Sequence, residues 1–274
     1  MHPRRAPDGT PRVKFFRGLA RRLARWLSTH ATTACQTATA GHDVRASGQP
    51  SEYGLSVAAP LPEALHVGLS MIEVTSSPAS PFVRKVRITA AVKGLGGKVE
   101  FLDPEADAKR AEALRASNPL AKIPTAKLDD GTLIYDSHVI CEYLDSLAPS
   151  PVLFPASGRA RFDTLTLAAL ADGIADAAIL IVYEGRFRPK EKWHQDWVDR
   201  QQAKIDAAVD LLEAKSPDWK TAPDYGHITL ACALGFMDLR LAGKWRTGHP
   251  KLTAWLDRFA AATPSFAATA PPKA

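Results

Sequence analysis

The sequence predicts an α+β protein, a small domain of mixed strands and helices followed by a domain built of helices alone. Between Met71 and Leu147, short strand-like runs alternate with amphipathic helical segments in the order βαβα and then ββα. After the proline-rich stretch LAPSPVLFPASG, residues 147–158, the period of two stops and only helical periodicity remains. At 274 residues with 46% hydrophobic composition, the chain can bury a core without disulfide staples.

Met71 to Thr75 reads as a strand closed by Ser76-Ser77-Pro78. Ser80 then stands as N-cap and Pro81 as first residue of a helix whose apolar face carries Phe82, Val83, Val86 and Ala90 and which stops at Gly94. Lys98 to Leu102 alternates as a second strand, and Glu105 to Ala116 is compatible with a helix that Asn118-Pro119 breaks. Two short strands flank Asp129-Asp130-Gly131, a hairpin signal because glycine tolerates positive φ in a tight turn. A helix from about Ser137 to Leu147 follows, capped by Asp136 or Ser137. This order suggests a thioredoxin-like N-terminal domain over residues 71–150, a statement about fold and not about function. Over residues 152–268 an all-α C-terminal helical domain is expected. Arg159–Glu184 presents Phe162, Leu165, Ala169, Ile174, Ala177 and Ile181 on one face, and the next helix, with Val198, Ile205, Val209 and Leu212, should pack against it. Tyr225–Leu241, capped by Asp224, and Pro250–Ala262 supply two more.

The net charge of +6 is unevenly placed. Residues 1–70 hold nine basic and four acidic residues, while the remainder carries 26 basic and 25 acidic. The basicity thus belongs to a leader, and no polybasic face points to nucleic acid. The leader is small, polar and aperiodic after residue 30, which suits disorder. Its first part, with Phe16, Leu19, Leu23 and Leu27 between arginines, could instead form a basic amphipathic helix, the one route to membrane contact. In that case deleting residues 1–70 abolishes function. A third reading is an over-extended gene start, since Met71 opens the first strand. No run of eighteen uncharged apolar residues occurs, so no membrane-spanning segment is expected. The odd set Cys35, Cys141 and Cys232 has neither CxxC nor metal-ligand spacing, so no metal site and no disulfide is expected, and a reducing, cytoplasmic location suits it. Cys141 and Cys232 read as small buried hydrophobes.

Four separated motifs, SPFVRKVRI from Ser80, NPLAKIP from Asn118, LDDGTLIYDS from Leu128 and HPKLTAWLDRFAAATPSF from His249, together resemble the cytosolic glutathione S-transferase family over about residues 71–268. The Ser-Pro-Phe start looks like the serine-type classes, tau and many bacterial members. The zeta-class SSCS signature is missing, which argues against maleylacetoacetate isomerisation. The resemblance implies a cytoplasmic homodimer that uses glutathione as co-substrate, needs no metal, and conjugates or transfers it to an electrophilic small molecule, as in detoxification. A non-catalytic binding or stress-response scaffold of the same fold is the alternative.

From the residues alone Ser80 is a helix cap. The resemblance makes it the catalytic serine, with Ser77 second and Ser76 third: a hydroxyl at a helix mouth donates a hydrogen bond to the glutathione thiolate, and the helix end adds positive partial charge. Lowering a thiol pKa from about 8.5–9 to about 6.5 turns a few per cent of thiolate at neutral pH into most of the population. Ile123-Pro124 reads as a trans proline opening an edge strand, or, by resemblance, as the cis-proline site whose preceding backbone pairs with the cysteinyl part of glutathione. Lys122 is a solvated charge or the partner of the glycyl carboxylate. Asp136 and Ser137 are caps, or the acid and anion site for the two charges of the γ-glutamyl end. The electrophile pocket would lie between the domains, with Tyr183, Phe187 or Trp193 either lining it or in the core. His227 stands where the family usually carries a capping aspartate, which puts the start of that helix in doubt.

Overall fold

A computed structural model of the chain describes residues 71–103 and 108–272. The basic leader, with its alternative readings, and Cys35 lie outside the described residues.

Ile72–Thr75 forms β1, with Ile72 and Val74 buried and Glu73 and Thr75 half-buried. That alternation leaves one face for the core. Helix α1, Pro81–Val92, follows and leads through the turn at Gly96–Lys98 into β2, Val99–Leu102, which pairs parallel to β1 with Ile72 opposite Val99. Helix α2, Ala108–Ser117, leads to two-residue strands β3, Ala126–Lys127, and β4, Leu133–Ile134, both antiparallel. Gly131 takes φ +85° in the turn between them, which licenses glycine there. The four-stranded sheet runs β2-β1-β3-β4. Helix α3, Ser137–Ser146, packs with α1, completing the thioredoxin-like half.

The second half is helical among the described residues: α4, Gly158–Phe187; α5, Gln195–Ala214; α6, Tyr225–Arg240; α7, Pro250–Ala262; and α8, Pro264–Ala268. Helix α6 is its centre. Every residue from Tyr225 to Leu234 is buried, and α6 packs against α4, α1 and α7. The expected packing of α4 on α5 is present. The expected face of α4 holds in part, with Ile174 and Ala177 buried and Leu165 and Ile181 half-buried, but Phe162 and Ala169 are exposed, and Thr164, Ala168, Ala171, Ala175 and Ala178 join the buried line. Alanines there let the helices approach closely. Helix α4 is also long and apolar enough, by length and composition, to cross a bilayer, which a search for an uncharged run does not register. In this fold its buried line is taken up by neighbouring helices.

The doubt about His227 is removed. Asp224 accepts the His227 N–H, and the imidazole reaches back to the Asp224 N–H, completing a capping box. Thr164 also donates to Asp224, and although burial alone would raise the Asp224 carboxyl, bonding to His227 and Thr164 holds it below its ordinary value.

A buried ion pair fastens the connection between the halves. Lys93 Nζ lies 2.8 Å from Asp145 Oδ1 and 2.6 Å from the Pro151 carbonyl, with side-chain exposures of 1% for Lys93 and 11% for Asp145. Both Asp145 oxygens also accept backbone N–H groups, from Leu153 and Phe154 at 3.0 Å each. The linker therefore runs along a fixed path.

His249 joins α5 to α7. Its Nε2 is 2.9 Å from Asp210 Oδ1 and its Nδ1 2.6 Å from the Trp245 carbonyl. Two oxygen acceptors on one ring are satisfied only by the imidazolium, and the Asp210 bond raises the His249 pKa. The stability this gives is fully present below the ordinary imidazole value of about 6.5 and fades as pH rises through the raised folded value. Thermal melts should therefore fall more between about pH 6 and pH 8.5 for the wild type than for His249→Gln, by a modest margin because Asp210 is exposed.

Candidate functional site

Ser80 is the N-cap of α1 with extended backbone at φ −78° and ψ 124°. Its Oγ accepts the Val83 N–H at 3.3 Å, which leaves the hydroxyl proton free to donate outward. The side chain is half-buried at the edge of a cleft. Ser77 is half-buried nearby, and its carbonyl accepts the Ser80 N–H at 3.1 Å. Ser76 is buried and takes a hydrogen bond from Arg87 Nη2 at 2.9 Å, so it faces the protein and not a ligand.

The turn holding Lys122, Ile123 and Pro124 is set by a residue that sequence reasoning treated only as a helix breaker. Asn118 is 1% exposed; its amide donates to the Lys122 carbonyl at 3.1 Å and to Thr125 Oγ1 at 2.9 Å, and its Oδ1 accepts the Leu120 N–H at 2.9 Å. Thr125 in turn exchanges backbone and hydroxyl bonds with Thr75 at the end of β1. The turn is thus tied to the strand that leads into Ser80. The Ile123-Pro124 peptide is cis, which replaces the trans reading taken from the residues alone. Neither backbone group of Ile123 bonds to the described residues, so both can receive a peptide-like ligand. Lys122 is exposed.

At the start of α3, Asp136 is exposed and accepts the His138 N–H at 2.9 Å. Ser137 is 3% exposed, with its hydroxyl and N–H free of bonds to the described residues. A first-turn N–H beside a free hydroxyl is a site for a carboxylate.

The helical half adds acids that the sequence reading passed over. Asp172 on α4 binds Lys85 Nζ at 2.6 Å, and Lys85, 1% exposed, also donates to the Tyr225 hydroxyl at 3.3 Å. One turn on, burial and then Asp172 push the Asp176 carboxyl up, with Lys122 and Lys85 opposing and Asp136 adding. Asp176 therefore feels charges from both halves. The available signal was two acids four residues apart on an alanine-rich helix.

Tyr183, Phe187 and Trp193 are exposed, at 45%, 66% and 45%, and do not line the Ser80 cleft. Tyr183 and Phe187 meet edge to face with centroids 4.9 Å apart, and the Trp193 indole donates to the Arg188 carbonyl. Cys141 and Cys232 are buried as expected, and burial pushes both thiols up to about 12, so neither offers a thiolate near neutrality. Among the described residues no group of three or more His, Cys, Asp or Glu is placed to hold a metal ion.

Residues 79–147 match the glutathione S-transferase N-terminal domain and residues 195–258 the glutathione S-transferase C-terminal domain. The chain is 32% identical over 207 residues, 74% of its length and the whole of the relative, to the uncharacterized GST-like protein YibF of Escherichia coli (strain K12). Among solved structures it is similar to a glutathione transferase family member from Pseudomonas fluorescens Pf-5 with bound glutathione, at 42% identity and TM-score 0.66, covering 73% of this chain and 99% of that one. A second structure from that organism, with bound S-(propanoic acid)-glutathione, is 39% identical with TM-score 0.63, covering 73% and 97%.

Proposed function

Because this chain belongs to the glutathione S-transferase family, we propose that it binds glutathione in its thioredoxin-like half and joins the glutathione sulfur to an electrophilic small molecule. The observation that carries the chemistry is Ser80, a half-buried hydroxyl at a helix mouth whose own proton is uncommitted. In this reading residues 71–150 form the glutathione-binding domain and residues 152–268 the helical one. The γ-glutamyl carboxylate sits on Ser137 and its ammonium faces Asp136. The cysteinyl backbone pairs with Ile123 ahead of cis-Pro124, and Lys122 answers the glycyl carboxylate. The relatives crystallised with glutathione and with a glutathione thioether support that co-substrate.

Ser80 and the α1 dipole stabilise the thiolate, so the thiol proton leaves to solvent. The sulfur electron pair then forms the new bond to carbon while the electrophile gives up a leaving group or a π pair. Holding both reactants in one cleft supplies the rest of the rate gain. Ser77 is the hydroxyl next in line.

The test is retention of the full chain on immobilised glutathione together with turnover of a generic electrophile. Ser137→Ala should weaken retention about tenfold, the worth of a charge-assisted hydrogen bond. A chain that neither binds nor turns over refutes the proposal, and binding without turnover points to a scaffold.

The homodimer also belongs to this proposal. Leu133, Tyr135 and Val139 around the start of α3 and Phe162 on α4 are exposed, and Arg161 binds Glu142 at 2.7 Å to hold α4 beside α3. Apolar side chains left outward in this way suit a second copy. Phe162→Glu should move the sedimentation coefficient toward the monomer.

A further inference from the structure

The cleft beside Ser80 contains a buried cation without a counter-ion among the described residues. Ser80, Pro81, Arg84, Gly235, Leu239 and Pro271 are among its walls, and its volume is about 190 Å³ counting the open mouth. None of Lys122, Ile123, Asp136 or Ser137 takes part, so whatever fills it is not the tripeptide backbone but the group beyond the sulfur.

Arg84 is 7% exposed and has no carboxylate within ion-pair distance among the described residues. Its Nη2 donates to the Phe266 carbonyl at 2.6 Å, its Nε to Thr269 Oγ1 at 3.4 Å, and its Cζ lies 3.9 Å above the Phe266 ring. These contacts fix the plane of the guanidinium and tie α1 to α8. Nη1 has no hydrogen bond to the described residues. It sits where Gly235 lacks a side chain, since a Cβ there would stand 2.6 Å from it. Asp238, the acid that acts on Arg84 from a distance, spends its carboxylate on Arg246 and Trp245. A cation taken out of water is ordinarily paired, because leaving it bare is costly.

We propose that Arg84 Nη1 receives a carboxylate carried by the electrophile, so that the natural substrate is a small acid. This rests on the transferase reading above and narrows its substrate class. The enclosed part of the cleft is only about 10 Å³, room for roughly one water-sized group, so it suits the end of a short carboxylate arm entering from the open mouth and excludes a large aromatic one.

Two thioethers of glutathione that differ in one group provide the test: S-(2-carboxyethyl)glutathione and its amide, S-(2-carbamoylethyl)glutathione, titrated calorimetrically into the full chain. The wild type is expected to bind the acid about tenfold or more tighter than the amide. The ratio should fall to about one in Arg84→Gln and recover in part in Arg84→Lys, which keeps the charge. Gly235→Ala, whose Cβ would crowd Nη1 out of its position while the arginine and its charge are kept, should also lower it, and it serves if Arg84→Gln does not fold. Because the readout is a ratio within each variant, a general loosening of α8 does not imitate the result. Equal affinities in the wild type, or a preference that survives both Arg84→Gln and Gly235→Ala, would overturn the inference. Glutathione binding without the preference sinks this inference alone, whereas a wild type that binds neither glutathione nor either thioether sinks the transferase reading and this one with it.

Discussion

Ser80→Ala is expected to lower kcat/KM for the proposed conjugation by about 10²–10³, the usual cost of deleting one donor aimed at a developing or resident negative charge, while retention on glutathione should change little. The asymmetry follows from where the hydroxyl points. Its oxygen is engaged with the Val83 N–H, so the proton it can give is directed away from the helix. In the proposed reading the tripeptide's other contacts lie on Ile123, Asp136 and Ser137 and survive the change. The pH–rate profile separates chemistry from folding: the apparent pKa of the bound thiol should climb toward its free value of about 8.5–9. Loss of the cap costs about 1 kcal/mol of stability, visible in a melt and without effect on the pH profile. An unchanged profile in Ser80→Ala would leave the serine as a cap only, and Ser77→Ala would be the next variant to assay.

Asp145→Ala should be the most damaging single substitution for stability, at about 3–5 kcal/mol by denaturant titration. It strands the ammonium of Lys93, whose side chain is 1% exposed, and at the same time leaves the N–H groups of Leu153 and Phe154 without their acceptor. The paired replacement Lys93→Met with Asp145→Leu should recover part of the loss, because it removes the buried charge along with its partner. If the single and double variants are equally unstable, the hydrogen bonds to the linker matter more than the ion pair.

These two residues mark the boundary of what the sequence makes legible. Local signals were read well. Helix α7 begins at Pro250 and ends at Ala262 as expected, since proline fits a first turn and the apolar period is strong. The hairpin around Gly131 was found from its turn chemistry, though its strands are only two residues each. Helix α2 is described from Ala108, and the expected start at Glu105 lies outside the described residues. On α4 Ile174 and Ala177 are buried as expected, but Phe162 is exposed and Ala168, Ala171, Ala175 and Ala178 are buried, because large side chains outweigh alanines in a periodicity count whereas close helix packing selects the alanines. The short α8 was not anticipated as a separate helix, because five residues carry too little period.

The site divides in the same way. Ser80, Pro124, Asp136 and Ser137 sit in local cap and turn patterns, and resemblance gave those patterns a role. Arg84, Lys85, Lys93 and Asn118 gave no sign of theirs. A buried charge is intelligible only with its partner, and these partners are remote: Asp145 is 52 residues from Lys93, Asp172 is 87 from Lys85, and Phe266 is 182 from Arg84. Solvated surface charge and structural node look alike until the chain folds back on itself.

Helix α6 has a consequence for how this chain can change. From Tyr225 to Leu234 it has no exposed residue on which a polar replacement could be accommodated, and its own Thr229 hydroxyl is already spent on the Tyr225 carbonyl. Most replacements along those ten positions must open a void or strand a dipole, so in a library of random variants selected for folding this stretch should be the most depleted of diversity. New specificity is then expected to arise on the cleft's rim, at Leu239 and Pro271, and not along the axis that supports it.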